Sequence, residues 1–260
     1  MKLLFIGDIV GKIGRQAVKA LLPNISSRYK IDMVVANGEN TAGGFGINEK
    51  TASELFESGV HIITTGNHVW DKKDAIPYIA KEHRLLRPLN YPEGVPGSGS
   101  VLFTLPSKET VAVVNVAGRV FMTPIDCPFR TTKREVERLR QHTGIIIVDF
   151  HAEATSEKTA FGFFLDGQVS AIVGTHTHVQ TADEKILPGG TAYITDAGMT
   201  GPSVSVIGIE KDQIVEKFLL QMPMKYDVAG GKAILSAVVI EIDEKNGKAT
   251  GIQRLQLTYP

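Results

Sequence analysis

Six short, nearly continuous apolar runs mark the chain, at residues 2–6, 33–36, 60–64, 111–116, 145–150 and 169–173, and each ends abruptly in polar residues. Runs of this length without strict alternation suit strands covered on both faces. Between them lie amphipathic stretches at residues 15–22, 49–57, 133–141 and 157–165. The alternation of strand-like and helix-like segments predicts an α/β sheet protein. Near the end the pattern changes: residues 234–242 and 249–257 flank Glu244, Lys245, Asn246 and Gly247. That turn-rich cluster between alternating runs predicts a C-terminal hairpin and an antiparallel part of the sheet. Residues 88–99, rich in Pro and Gly, read as a surface loop, because strand-like sequence resumes directly after them. No repeat and no low-complexity tract interrupts the chain, so residues 1–260 are read as a single domain.

The polar residues that follow the strands carry the chemistry. The runs end in Gly7-Asp8, Asn37-Gly38-Glu39-Asn40, Gly66-Asn67-His68, Phe150-His151 and Gly174-Thr175-His176-Thr177-His178. In α/β sheets the ligand crevice lies beyond the carboxyl ends of the strands, so five strands deliver carboxylates, amides and imidazoles to one edge. Asp8 and Glu39 offer anionic oxygens, Asn40 and Asn67 offer carbonyl oxygens, and His151, His176 and His178 offer nitrogens. This donor set suits a first-row metal such as Mn, Fe or Zn, and it over-supplies one ion. Two metals sharing a carboxylate fit better. Their charge exceeds that of the two carboxylates and one hydroxide by about one unit, which selects an anionic substrate. Taken singly, each donor also has an ordinary reading as a cap, a turn residue or a hydrogen-bonded histidine. His61, His83 and His142 keep that reading because they lack company.

Composition narrows the setting. The 260 residues include 28 Lys plus Arg and 28 Asp plus Glu, so the formal charge is zero and the broad basic field of a duplex-coating protein is missing. With 43% hydrophobic and 22% charged residues the chain is an ordinary globular one. The single cysteine, Cys127, allows no internal disulfide and no multi-thiolate zinc site, which points to a reducing compartment and to N and O donors. It reads as an inert filler. The start, MKLLFIGD, is cut by Gly7 and Asp8 well before a secretory or membrane-spanning length, so a cytoplasmic location with no membrane contact is expected. Residues 7–12 lack the spacing of a Walker loop, and Gly43-Gly44-Phe45-Gly46 lacks GxGxxG.

The ordered motifs resemble the calcineurin-like metallophosphoesterase superfamily, whose pattern is Asp-x-His, Gly-Asp, Gly-Asn-His-Asp/Glu, a lone His, and Gly-His-x-His. Two departures stand out: Val10 replaces the first histidine, and Glu39-Asn40 stand where Gly-Asp-x is usual. Both look like the YmdB-type bacterial subgroup. The segments DIVGKIGR, ANGENTAGGFGI, TTGNHVWD, NVAGRVFM, DFHAEATSEK and GTHTHVQTAD strengthen that match. The resemblance implies a sandwich of two mixed β-sheets flanked by helices, and a homo-oligomer. It implies one metal held by Asp8, Glu39, Asn40 and His178, and another by Glu39, Asn67, His151 and His176. Glu39 would bridge them, and Asn40 would replace the absent histidine. Iron is the favoured metal, with manganese or zinc as substitutes.

The activity so implied is hydrolysis of small nucleotide phosphodiesters, 2',3'-cyclic nucleotides above all, by attack of a metal-activated water. His68, beside the ligand Asn67, is placed to protonate the leaving alkoxide, and Asp71 to orient it. Arg119 and Arg130 are candidates for gripping phosphate or ribose. A phosphomonoesterase or nuclease on the same site is the alternative within hydrolases. A metal- or nucleotide-dependent regulator with slow hydrolysis is the alternative outside them.

Overall fold

The computed structural model describes residues 1–260. The first apolar run forms β1 (Lys2–Ile6), followed by β2 (Asp8–Ile9) and α1 (Gly11–Tyr29). Next come β3 (Met33–Asn37), α2 (Glu49–Glu57), β4 (Ile62–Thr64) and α3 (Ala75–Ile79). A second series holds β5 (Ser100–Thr104), β6 (Thr110–Ala117), α4 (Pro128–Leu139), β7 (Ile145–His151), α5 (Thr155–Leu165) and β8 (Ala171–Thr175). The chain ends with β9 (Lys185–Ile186), β10 (Ala192–Ile194), β11 (Met199–Pro202), α6 (Lys211–Leu220), β12 (Ala233–Ile242) and β13 (Ala249–Tyr259).

Two mixed sheets result. One has seven strands in the order β2-β11-β12-β1-β3-β4, with β13 also paired to β12, and the other has six in the order β5-β6-β7-β8-β10-β9. Pairing is parallel from β1 through β3 to β4 and from β6 through β7 and β8 to β10. The predicted hairpin is present as antiparallel β12 and β13.

Strand alternation explains the near-continuous apolar runs. Leu3, Phe5 and Val35 of the first sheet meet Val113, Ile147 and Val173 of the second in a cluster between the sheets. The alternate residues Leu4, Ile6 and Val34 pack on Val18, Leu22 and Ile25 of α1 and on Leu55 of α2. On the far side, Val114, Val148 and Phe150 pack on Val136 and Leu139 of α4 and on Phe161 and Leu165 of α5. The fold is thus a four-layer sandwich of helices, sheet, sheet and helices, in which each inner strand buries both faces.

Several boundaries differ from the sequence reading. Helix α1 runs well past residue 22 and through Pro23, because Ile25 beyond the proline is anchored in the buried cluster and that burial outweighs the interruption. Helix α4 begins at Pro128 instead of 133, since proline at the first turn gives up a donor that has no intrahelical partner anyway. The strands at 60–64 and 169–173 shift to Ile62–Thr64 and Ala171–Thr175. The sequence reading missed β2, β9, β10, β11 and α3 as too short to stand out, and α6 because it buries no residue.

Candidate metal centre

The carboxyl ends of β1, β3 and β4 in one sheet and of β7 and β8 in the other open on one rim. Asp8 lies in β2, Glu39 and Asn40 follow β3, and Asn67 follows β4, all in the first sheet. His151 is the last residue of β7, and His176 and His178 follow β8, in the second. Gly7 permits this close approach, because a Cβ there would stand 1.9 Å from the Gly198 carbonyl oxygen.

The donors gather in two groups that share Glu39. Asp8, Glu39 and His178 form one and Glu39, His151 and His176 the other, each with its ligand atoms within 4.8 Å of one another. His151 Nε2 lies 3.1 Å from Asn67 Oδ1 and 3.0 Å from His176 Nδ1. Asn40 Nδ2 lies 3.2 Å from both Glu39 Oε1 and His178 Nε2. The structure therefore brings all seven predicted donors together.

A cation fits this arrangement. Asp8 Oδ1 and Asn40 Oδ1 are buried with no hydrogen-bond partner, a state that costs about 1–3 kcal/mol per atom unless something else satisfies it. The histidines also present the right nitrogens. The Ile207 carbonyl accepts from His178 Nδ1 at 2.8 Å, which leaves Nε2 as the lone-pair nitrogen. Thr175 Oγ1 donates to Asp149 Oδ1 at 2.7 Å and so accepts from His151 Nδ1 at 2.9 Å, which turns Nε2 toward the centre. His176 is turned the other way, with Nε2 3.1 Å from Glu153 Oε2 and Nδ1 toward the cluster. Such outer hydrogen bonds fix ring orientation before any ion binds.

The protein groups perturb one another strongly. Burial alone would raise the Glu39 carboxyl, but the His151 imidazole and the charge and backbone N–H of His68 outweigh it and hold Glu39 at about 2. Burial alone would lower His151, yet Glu39, Asp8 and Asp149 push it up to about 9. Burial and the neighbouring His151 charge press His176 down to about 3. Burial raises Asp149 to about 7 and raises Asp8 as well.

Backbone strain concentrates on the same loop. His176 sits at φ 99° and His178 at φ 66°, in the left-handed region that non-glycine residues seldom adopt. A buried ion pair holds them there. Lys158 Nζ donates to the Thr175 carbonyl and to Asp196 Oδ2, both at 2.7 Å. Asp196 also accepts from Thr177 N at 3.1 Å, Thr177 Oγ1 at 2.8 Å and Gly198 N at 2.9 Å. Sequence reasoning missed Lys158, Asp196, Asp149, Thr175 and Glu153. One signal was available: Lys158 occupies the same helix stripe as Phe161 and Leu165, where a lysine requires a buried acceptor.

His68 stands at the edge of the centre. Its backbone N–H donates to Glu39 Oε2 at 3.2 Å, and its Nδ1 lies 2.8 Å from Asp71 Oδ2. With Glu39, His176 and His178 it lines a cavity of about 260 Å³. Neither arginine lines that cavity. Arg119 is exposed and offers only its backbone N–H to Glu157, while Arg130 lines a separate depression with Asp126 and Cys127. His61 accepts from Val34 N at 3.0 Å, and His83 and His142 are exposed, so all three lie outside the centre.

Fold and site together define a metallophosphoesterase-type sandwich with a rim centre of nitrogen and oxygen donors. A family model described as YmdB-like protein matches residues 4–255, and the chain belongs to that family. It is 48% identical over 255 residues to a Bacillus subtilis protein named 2',3'-cyclic-nucleotide 2'-phosphodiesterase, covering 98% of this chain and 96% of that one. A crystal structure of a hypothetical protein from Thermus thermophilus superposes with a TM-score of 0.93 at 42% identity over 100% of both chains. One of a Mycoplasma pneumoniae phosphatase superposes with a TM-score of 0.93 at 37% identity, covering 99% of this chain and 93% of that one. No helix is long and apolar enough to cross a membrane.

Proposed function

We propose that this chain is a metal-dependent phosphodiesterase acting on small nucleotide phosphodiesters, with 2',3'-cyclic nucleotides foremost. The observation that carries this reading is the pair of donor groups joined at Glu39, one of them with two buried, unpartnered oxygens on Asp8 and Asn40. Asp8, Glu39, Asn40 and His178 would hold one divalent cation, and Glu39, Asn67, His151 and His176 a second. When bound, the pair supplies Lewis-acid activation of water and positive charge for the phosphoryl oxygens. A centre without thiolates suits iron, manganese or zinc, and iron is the resident metal in this reading.

The side chains around the centre do the rest. His68 gives a proton to the leaving alkoxide: Asp71 engages Nδ1 at 2.8 Å and orients the ring, which leaves Nε2 as the donating nitrogen. A cavity of about 260 Å³ lies just below the roughly 300–1,000 Å³ of drug-sized ligand sites, so it suits a mononucleotide-sized ester and not a duplex. Zero net charge argues against the extended basic track that a long backbone needs. The name of the Bacillus subtilis relative supports the substrate class. The unpaired Cys127 supports a reducing, cytoplasmic setting.

The test is elemental analysis of anaerobically purified protein together with a panel of p-nitrophenyl phosphate, bis-p-nitrophenyl phosphate, 2',3'-cyclic nucleotides and RNA. About two ions per chain and a preference for the cyclic nucleotides are expected. Full-rate hydrolysis by metal-free protein would refute the reading. A preference for the monoester would shift it to phosphatase activity, the activity for which the Mycoplasma pneumoniae protein is named.

A further inference from the structure

Ile207 has a conformation that folding alone does not explain. Ile207 (φ 47°) and Gly208 (φ 104°) both have left-handed backbone, and Val206 and Ile209 close the reversal with reciprocal backbone hydrogen bonds of 2.9 and 3.0 Å. Positive φ at both central residues is the signature of a type I′ turn, whose first central position strongly favours Asn, Asp or Gly. A β-branched side chain there is strained. It also gains little from burial, because Ile207 remains 52% exposed. The carbonyl of Ile207 orients His178, but any residue would supply a carbonyl. What the isoleucine adds, and the residues this turn prefers would not, is an apolar side chain at the cavity that holds Glu39, His176 and His178.

Other apolar groups meet it there. Phe45 and Ile209 line the same cavity, and the Phe45 ring is held edge-on to His68, with centroids 5.2 Å apart and planes at 66°. The cavity thus joins donors suited to an anion's counter-ions with apolar walls suited to a flat apolar group. A nucleobase joined through ribose to a phosphodiester has both.

We propose that Ile207, with Phe45, forms the nucleobase-contacting wall of the cavity and is a specificity-determining residue, selecting cyclic phosphodiesters that carry a heteroaromatic base over bare cyclic phosphates. This inference rests on the phosphodiesterase reading above. A single turn then sets both the orientation of His178 and the surface that the base meets.

The test compares kcat/KM for a 2',3'-cyclic nucleotide and for glycerol 1,2-cyclic phosphate in metal-replete wild type, Ile207→Gly, Ile207→Asn and Phe45→Ala. Gly and Asn are the residues that the turn prefers, and both keep the carbonyl. The two Ile207 variants should therefore retain metal and a Tm no lower than wild type. The nucleotide-to-glycerol ratio should fall by about 10- to 200-fold, chiefly through the KM for the nucleotide, and Phe45→Ala should move it the same way. An unchanged ratio in metal-replete variants overturns the inference while leaving the phosphodiesterase reading intact. So does loss of metal or a lower Tm in Ile207→Gly, which would make the side chain structural. Wild type inactive on both esters overturns the phosphodiesterase reading and this inference with it.

Discussion

His151 Nε2 lies 3.2 Å from Glu39 Oε1, and neither side chain has more than 1% of its surface exposed. With His151 pushed up to about 9 and Glu39 held at about 2, the pair is charged at neutral pH, and a proton stands on a nitrogen that a cation must take. Metal loading near pH 7 is expected to release about one proton per chain, and affinity should rise with pH up to about 9. Calorimetry in buffers of different ionisation enthalpy reads the proton directly. An affinity flat between pH 6 and 9 would contradict the assignment.

The same pair fixes how the metal-stripped protein responds to pH. His151 has a folded value above its ordinary 6.5, so its contribution is complete below 6.5 and is lost as pH rises through about 9. Glu39 is depressed from 4.5, so its contribution is present above 4.5 and is lost as pH falls through about 2. From this pair, the stripped protein should be most stable between these ordinary values, with Tm declining toward pH 9. Thermal melts after chelation and dialysis test this.

Replacing His68 by Ala should lower turnover by about 10²- to 10⁴-fold while metal content holds, the loss typical of a missing general acid. Asp71→Asn should cost less, since the His68 backbone keeps its hydrogen bond to Glu39 and the ring keeps its edge-on contact with Phe45. Parallel losses of turnover and metal in His68→Ala would place the imidazole among the ligands instead.

Glu39→Gln should deplete both ions together, because both donor groups include that carboxylate. Elemental analysis that still finds one tightly held ion would show that the two groups fill independently of Glu39.

Lys158→Met leaves Asp196 buried without its counter-charge, and should destabilise the fold by about 3–5 kcal/mol. Because Asp196 also holds the Thr177 backbone between the two strained histidines, metal content should fall as well. Denaturant titration of Lys158→Met beside Lys158→Met/Asp196→Asn checks the cause: the double variant should recover part of the stability.

The layered fold was legible because Leu3 to Ile6, and the matching stretches of the other inner strands, are buried on both faces and so read as unbroken apolar runs. The donors were legible because each follows such a run, where the sheet must open. Edge strands gave no comparable signal: β5 is half exposed and β9 wholly so. The supports of the centre were hidden for a different reason. Asp149 and Thr175 lie within strands as ordinary polar residues, and only the pairing of β7 with β8 brings their side chains together behind His151. The arginines illustrate the converse: guanidinium suits phosphate, but residue type carries no position, and Arg130 faces another depression.

Four of the seven donors come from the first sheet and three from the second, and no sheet alone provides the complete set. Neither half of the molecule can chelate as the whole does. An ion in either group would be held from both sheets at once, and would tie the two halves of the sandwich together along this rim.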